Sequence, residues 1–277
     1  MPLPVFVAYR IIWFLYILAW LIATLVNFAP PDREGPRWLI FLTNQSYILL
    51  VVSTGAITIL TVGYAIIYLI DKQILQSFHP QSASTLQAIY MQDNIGWYVK
   101  ICWLLYIMGA ALALVVVVGY WSIVYDPNCE SSTSPNSTII CLEANEYSFH
   151  LHLVNGVLII LDLYLSRVPY QLFHIFYPSV FMLGWVIFSA IYFAAGGTNP
   201  LDEGPYIYEL LDYGNNPGRA VGLAIVLIVS PTAAFIVLFF LGWIRDVIYQ
   251  KIPCCYRQLH NSQESSPELE LFYHKSS

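Results

Sequence analysis

Charged residues are scarce in this chain, and their scarcity excludes an ordinary soluble domain. Asp, Glu, Lys and Arg make up 10% of its 277 residues, whereas soluble domains carry about 25%. The formal net charge of −6, without a basic stripe, argues against nucleic acid as a partner. Polar stretches long enough for a second core are also absent. We therefore predict one domain over residues 1–257 and a disordered cytoplasmic tail over 258–277.

Long apolar runs take the place of charge. The chain is 58% hydrophobic, and a helix of about 20 apolar residues crosses a hydrocarbon core of about 30 Å. The sequence predicts an all-α integral membrane bundle of six transmembrane helices. The first run is too long for a signal peptide and is predicted to be retained. The fourth run needs residues from 147 onward to be complete, and the fifth is marginal in length. The six runs cover residues 5–29, 43–70, 97–125, 152–165, 179–195 and 221–244.

The distribution of Lys and Arg predicts that both termini face the cytoplasm. That orientation puts eight cations on the cytoplasmic side and three on the other, as the positive-inside rule requires. The loop after the third run agrees, because it contains an N-glycosylation acceptor, Asn136, and two cysteines, Cys129 and Cys141, that we expect to pair outside the cytoplasm. The alternatives are a chance sequon and two free thiols. The eight cations are Arg10, Lys72, Lys100, Arg167, Arg245, Lys251, Arg257 and Lys275, and the three are Arg33, Arg37 and Arg219.

Small residues four apart predict places where helix backbones approach closely. Gly109 with Ala113 and Gly218 with Gly222 have this spacing. Pro231 is predicted to kink the sixth span.

Polar side chains inside the fourth and second runs are the most informative feature for function. The spacings of three, four or seven residues within each set place its members on one helical face. Asp162 also puts a carboxylate within an apolar run. Intramembrane ionisable residues normally face the bundle interior or a wet cavity, so we expect the two polar faces to meet each other or a shared cavity. The sets are His152, Asn155, Ile159, Asp162 and Ser166 on the fourth run, and Thr43, Tyr47, Thr54, Thr58 and Thr61 on the second.

Thr43 and His152 open their spans at the same predicted membrane face, so we expect them at similar depth. A hydroxyl beside an imidazole is the minimal nucleophile–base pair, and Asn155, one turn further, is a candidate donor to an oxyanion. Asp162 lies ten residues beyond His152, roughly 15 Å along a helix, so another group such as Asp212 would have to orient the imidazole.

Structural roles for the same residues remain open. A Thr at a helix start commonly caps it, a Thr inside a span commonly bonds to a carbonyl one turn earlier, and a His near the interface can be a polar anchor. No cofactor is predicted. His150 and His152 are two apart and point to different helix faces, which disfavours a metal site.

Three segments resemble the rolling stone family of multi-pass membrane proteins. Residues 37–44, RWLIFLTN, resemble the family's W-x-x-Y-L-T-N-W start of the second span, although Gln45 replaces its last aromatic residue. The HLVN of residues 152–155, followed by Asp162, resembles its fourth span. YELLDY with a following NPG, residues 208–218, resembles its last outer loop, with Tyr213 in place of a Trp.

The resemblance implies a role in cell–cell fusion, myoblast fusion in particular. Rolling stone proteins are distantly similar to the androgen-induced membrane hydrolases, which cleave fatty-acid esters of hydroxy fatty acids with a membrane-embedded Thr and a His. By motif, that similarity implies Thr43 as nucleophile and His152 as base.

Three hypotheses therefore compete. The first is a fusion or adhesion protein whose acidic outer loops contact a membrane-protein partner. The second is a Thr- and His-dependent hydrolase whose lipid ester substrate enters from the membrane lipids. A channel or transporter ranks last, because the sequence shows neither an internal repeat nor a charged pair at the membrane midplane. The predicted location is the plasma membrane or the endoplasmic reticulum.

Overall fold

The computed structural model describes residues 3–28, 35–78, 96–125, 146–166, 168–200 and 203–251, and these form an all-helical bundle. Six helices of this described part are long and apolar enough to cross a membrane, which confirms the all-helical fold with six candidate spans. The cytoplasmic orientation of both termini remains a prediction. Asn136, Cys129, Cys141 and the predicted tail lie outside the described residues. Spans 1 to 6 are Leu3–Val26, Leu42–Ile70, Trp97–Ile123, Tyr147–Leu165, Leu172–Ala194 and Pro217–Tyr249.

Two spans contain π-helical turns, which are wider than α-helical ones. Hydrocarbon forces the backbone polar groups to bond within the helix, and in spans 3 and 4 part of that bonding shifts to the wider turn. Short 3₁₀ helices precede spans 2 and 6, and another forms the start of span 5. The helices are Leu3–Phe28, Leu42–Phe78, Trp97–Gly119 with π turn Tyr120–Val124, Glu146–Phe149 with π turn His150–Val154 and helix Asn155–Leu165, Phe176–Ala194, and Pro217–Lys251; the 3₁₀ helices are Gly35–Ile40, Leu172–Ile175 and Glu209–Leu211.

Span 3 lies at the centre of the bundle, where it packs closely on span 2. A Cβ on Gly109 would lie 3.2 Å from the Cα of Leu50, so the missing side chain allows the two backbones to approach, as predicted. The prediction for Gly218 and Gly222 is wrong: nothing in the described part of the chain lies within 4 Å of a Cβ built on either. Pro231 lies inside the last helix, and its kink remains a prediction.

The spans alternate in direction, so the bundle has two distinct ends. We call the end that contains residues 35–40 and 203–216 the loop end, and the end where the first helix begins and the last finishes the terminal end. Ring contacts between Trp20 and Tyr147 and between Phe41 and Tyr208 join elements at the loop end. Thr43 and His152, near the starts of spans 2 and 4, both belong to that end.

A buried ion pair joins spans 1 and 4 near the terminal end. Arg10 Nη1 lies 3.1 Å from Asp162 Oδ1, and the two side chains are 2% and 0% exposed. The Tyr9 hydroxyl donates to Asp162 Oδ1 at 3.0 Å and the Ser166 hydroxyl to Oδ2 at 3.1 Å. Arg10, which the sequence placed among the cytoplasmic cations, thus lies inside the bundle, and its pair with Asp162 lies near the terminal end rather than at the midplane.

Arg245 fastens span 6 to span 4 at the same end. Its Nη1 donates to the carbonyls of Leu163 at 3.0 Å and Ser166 at 2.9 Å, which satisfies acceptors that the end of a helix leaves open. The Tyr249 hydroxyl donates to the Tyr164 carbonyl at 3.0 Å. These hydrogen bonds hold spans 4 and 6 together at the terminal end.

Two members of the polar stripe of span 2, Tyr47 and Thr58, face span 1 rather than the polar face of span 4. The Tyr47 hydroxyl donates to the Ile17 carbonyl at 2.9 Å, and the Thr58 hydroxyl donates to the Thr54 carbonyl at 2.8 Å. A hydroxyl satisfied by a carbonyl needs no polar face opposite. The face predicted for span 4 is buried along its whole length, from His152 to Ser166.

Candidate functional site

A cavity of about 1030 Å³ lies among spans 2, 3, 4 and 6 and reaches the loop end, and both Thr43 and His152 line it. The structure thus brings the two predicted residues to one space from different helices. Its polar wall is formed by Thr24, Thr43, Asn44, Tyr120, Ser122, Ser148, His152, Tyr208 and Ser230. The rest of the wall is mostly aliphatic.

The cavity is long and open at the side. Along span 6 it is lined from Leu223 to Leu241, a helical length of about 27 Å. Val226 and Val237 line it and are also 56% and 52% exposed. Ile160 of span 4 also lines the cavity and is 39% exposed, so the cavity is open at the side of the bundle where spans 4 and 6 line it. An acyl chain fits such a slot by its chemistry.

Thr43 lies at the start of the long helix of span 2, under the last outer loop. The Tyr208 hydroxyl is within hydrogen-bonding reach of the Thr43 side chain and of the backbone at Leu42 and Thr43. This phenol thus takes the place of a helix cap. Burial raises the pKa of Tyr208, so the group is a neutral phenol at physiological pH. The ring is held in the loop by Phe41 and Trp185, with centroids 5.7 and 5.9 Å away.

His152 lies in the π turn of span 4 and is 8% exposed. Its ring lies flat on the ring of Tyr120, with centroids 3.8 Å apart and planes 1° from parallel. Tyr120 begins the π turn of span 3. His152 Nδ1 has no hydrogen-bond partner among the described residues. The imidazole is therefore held by stacking.

A second histidine, His150, packs on the opposite side of the same π turn. His150 stacks on Trp20 of span 1 at a centroid distance of 3.8 Å and pairs through Nδ1 with the Tyr16 hydroxyl. His150 thus faces span 1 while His152 faces span 3, as their spacing predicted. The π turn is held between two ring stacks.

Asn155 and Asp212 both form local hydrogen bonds. Asn155 is buried, is not among the described residues that line the cavity, and donates from Nδ2 to the Leu151 carbonyl at 2.9 Å. Its oxyanion role remains a prediction. Asp212 accepts from the Asn215 and Gly214 backbone at 2.9 and 3.0 Å. The Asn215 backbone amide, its side chain and the Gly214 amide lower the pKa of Asp212. Asp212 thus stabilises its own loop.

Sequence reasoning missed Tyr120 and identified Tyr208 only as part of a motif. The chain contains 21 tyrosines, and no spacing distinguishes Tyr120 from the others. Its position depends on two π turns in different spans. The resulting site combines a hydroxyl, an imidazole, a neutral phenol and a hydrocarbon slot, a set of groups suited to acyl transfer from a lipid.

Comparison with known proteins agrees over most of the chain. A family model described as "Protein rolling stone" matches residues 3–256. The curated Drosophila melanogaster protein named "Protein rolling stone" is 25% identical over 221 residues, which cover 78% of this chain and 69% of that protein. No solved structure matches the chain.

Proposed function

Because the chain belongs to the rolling stone family of multi-pass membrane proteins, we propose that its lateral cavity binds an acyl lipid and that Thr43 and His152 hydrolyse the ester of that lipid. The observation that carries this proposal is that both side chains line one cavity. Its lining on spans 4 and 6 includes the exposed residues Ile160, Val226 and Val237. The cavity provides a route by which the substrate enters sideways from the bilayer.

The reaction divides into two acyl transfers. His152 accepts the Thr43 hydroxyl proton as Oγ attacks the ester carbonyl carbon, and the carbonyl oxygen becomes an oxyanion. Collapse of this intermediate breaks the bond to the alcohol, which leaves with the proton from His152. A water molecule then attacks the acyl-Thr43 ester and gives its proton to His152. Collapse of this second intermediate breaks the bond between the acyl carbon and Thr43 Oγ, which takes the proton back from His152. The products are a fatty acid and free Thr43.

The start of span 2 supplies charge stabilisation for the oxyanion. The amide groups of the first turn point out of a long helix, where the macrodipole favours negative charge. The backbone of Leu42 and Thr43 in that turn is already within hydrogen-bonding reach of Tyr208. We therefore assign the direct contact with the oxyanion to the phenol O–H of Tyr208. The family resemblance favours a fatty-acid ester of a hydroxy fatty acid as the substrate.

A fluorophosphonate probe tests the hydrolase proposal directly. We expect it to label the purified protein, and we expect Thr43→Ala and His152→Ala to abolish both labelling and fatty-acid release. The matched control is Thr61→Ala on the same span, because the Thr61 hydroxyl donates to the Ile57 carbonyl at 2.8 Å. Full labelling of both site variants would refute the proposed chemistry.

Membership of the family favours a second function, in the fusion of cells such as myoblasts. The predicted orientation puts the loop end, with its acidic loops, outside the cell and toward a membrane-protein partner. Depletion in fusing cells is expected to reduce syncytium formation. Re-expression of wild-type protein and of Thr43→Ala then separates the functions: equal rescue would make fusion independent of hydrolysis, and normal fusion after depletion would remove this role.

A further inference from the structure

We propose that Tyr120 is a positioning residue for His152: its ring holds the imidazole in the plane that the reaction needs and stabilises the imidazolium formed when Thr43 is deprotonated. This inference rests on the proposed hydrolysis. It adds to the site a residue that has no part in the proton transfer itself.

The geometry of the stack suits a charged partner better than a neutral one. Two neutral aromatic rings prefer offset or edge-to-face arrangements over a face-to-face pair. The Tyr120 and His152 rings are instead parallel within 1°, with centroids 3.8 Å apart. A cation over a phenol face is attracted by the electron-rich centre of the ring. The stack thus favours the positive charge that His152 carries between the two proton transfers.

Stacking on Tyr120 also takes the role of the hydrogen-bond partner that would otherwise orient the imidazole of His152. A catalytic imidazole is commonly held by a hydrogen bond to its second nitrogen, but Nδ1 of His152 has none among the described residues. Asp212 is bonded to its own loop, and Asp162 is paired with Arg10. The face of Tyr120 is the contact that fixes the plane of the ring.

The backbone on both sides is adapted to this contact. Tyr120 opens the π turn Tyr120–Val124, and His152 lies within the π turn His150–Val154. Such turns are rare and concentrate at functional sites. The two rings meet where both helices depart from the α-helical repeat, and both rings line the cavity.

The neighbouring His150 stack provides a matched control for a purely structural role. Trp20 lies against His150 at the same centroid distance of 3.8 Å, on the side of the π turn that faces span 1. Loss of either stack removes support from the turn. Loss of Tyr120 alone removes the surface that faces the proposed base.

The test measures lipid ester hydrolysis by purified Tyr120→Leu, Tyr120→Phe and Trp20→Leu proteins. We expect Tyr120→Leu to lower kcat about thirtyfold, the rate equivalent of a desolvated cation–π contact, with little change in KM. Tyr120→Phe keeps the ring face and is expected to retain most of kcat. Trp20→Leu is expected to retain it as well. Tyr120→Met, which fills the space without a ring face, is measured as a second variant.

Each outcome bears on one claim. Equal kcat in the Leu, Met and Phe variants of Tyr120 would overturn the positioning role, and so would an equal loss in Trp20→Leu or a failure of both aliphatic variants to fold. If Thr43→Ala hydrolyses the ester normally, the proposed function itself fails. If Thr43→Ala is inactive while the aliphatic variants of Tyr120 are fully active, this inference alone fails.

Discussion

Asp162 of span 4 and Arg10 of span 1 form an ion pair from which surrounding solvent or lipid is almost completely excluded, with Oδ1 and Nη1 3.1 Å apart. The guanidinium also lies over the rings of Phe6, Tyr9 and Trp13, 5.1 to 6.0 Å from their centroids. Taking two charges into an apolar interior is costly, and their attraction repays the cost only while both are present. Each charge of the pair therefore stabilises the contact between spans 1 and 4 only while the other charge is present.

Removal of one partner is expected to be severely destabilising. Asp162→Leu leaves Arg10 buried without its counter-charge, and breaking a buried pair in this way costs about 3–5 kcal/mol. We expect a lower midpoint of thermal unfolding in detergent and less protein at the membrane. The result is measured by a stability assay on the purified variant.

Replacement of both partners tests whether the loss of stability comes from the unpaired charge or from the change in side-chain volume. The double variant Arg10→Leu with Asp162→Leu removes both charges and is expected to recover much of the lost stability. Asp246→Asn is the control, because Asp246 is 54% exposed in its pair with Arg245, and exposed pairs contribute about 0–1 kcal/mol. A double variant no more stable than Asp162→Leu alone would contradict this account.

Gly109 is expected to tolerate no larger side chain. A Cβ there would approach the Leu50 Cα and N to 3.2 and 3.3 Å, so Gly109→Val forces spans 2 and 3 apart. Overpacking of this kind costs about 1–3 kcal/mol, measured as a fall in the unfolding midpoint. Gly184→Val is the control, since nothing in the described part of the chain lies within 4 Å of a Cβ at that position. Equal effects of the two substitutions would refute the close packing.

The lateral opening is expected to control access for lipid substrates. Val237→Trp places a large side chain in the slot, so we expect KM for a long-chain ester to rise several-fold while a small fluorophosphonate still labels Thr43. Val221→Trp is the matched control, because Val221 lies on the same span, is 52% exposed, and is not among the described residues that line the cavity. Unchanged KM in Val237→Trp would show that substrate reaches the site by another route.

Asp212 is expected to make the last outer loop sensitive to acid. The Asn215 backbone amide, the Asn215 side chain and the Gly214 amide lower the folded-state pKa of Asp212. The carboxylate therefore contributes stability that is complete above its unfolded pKa of about 3.9 and is lost as the pH falls through the lower, folded value.

Asp212→Ala is accordingly expected to lower the unfolding midpoint at neutral pH and to converge with wild type in strong acid. Glu209→Ala is the control on the same loop, because the Glu209 carbonyl, not its carboxylate, accepts from Arg219 at 2.9 Å. A constant difference between Asp212→Ala and wild type at all pH values would contradict the titration.

Hydropathy was sufficient to predict the six spans because a helix in hydrocarbon must be apolar over a fixed length. It misplaced the start of span 5, predicted at residue 179 and observed at Leu172. His174 and Pro178 lower the apparent hydropathy there, although Pro178 falls in the first turn of the helix Phe176–Ala194, where proline is tolerated.

Partners between spans were much harder to predict. Arg10 resembles a loop cation by its place near a span end, and nothing in the sequence pairs it with Asp162. Thr43 and His152 were assigned to one end by span direction alone, and the structure places both on one cavity. Tyr120 depends on a π turn, and such a turn leaves no mark in the periodicity of apolar residues.

The π turn of span 4 changes the direction in which side chains point along the rest of the helix. A π turn holds one residue more than the α turn it replaces, so the helix beyond it is rotated by roughly 100° relative to an uninterrupted one. Ser148 before the turn lines the lipid slot, and Asp162 after it meets Arg10. An unbroken helix would turn one of them toward the acyl tails. One additional residue thus allows a single helix to contribute both to the ion pair at one end and to the wall of the cavity at the other.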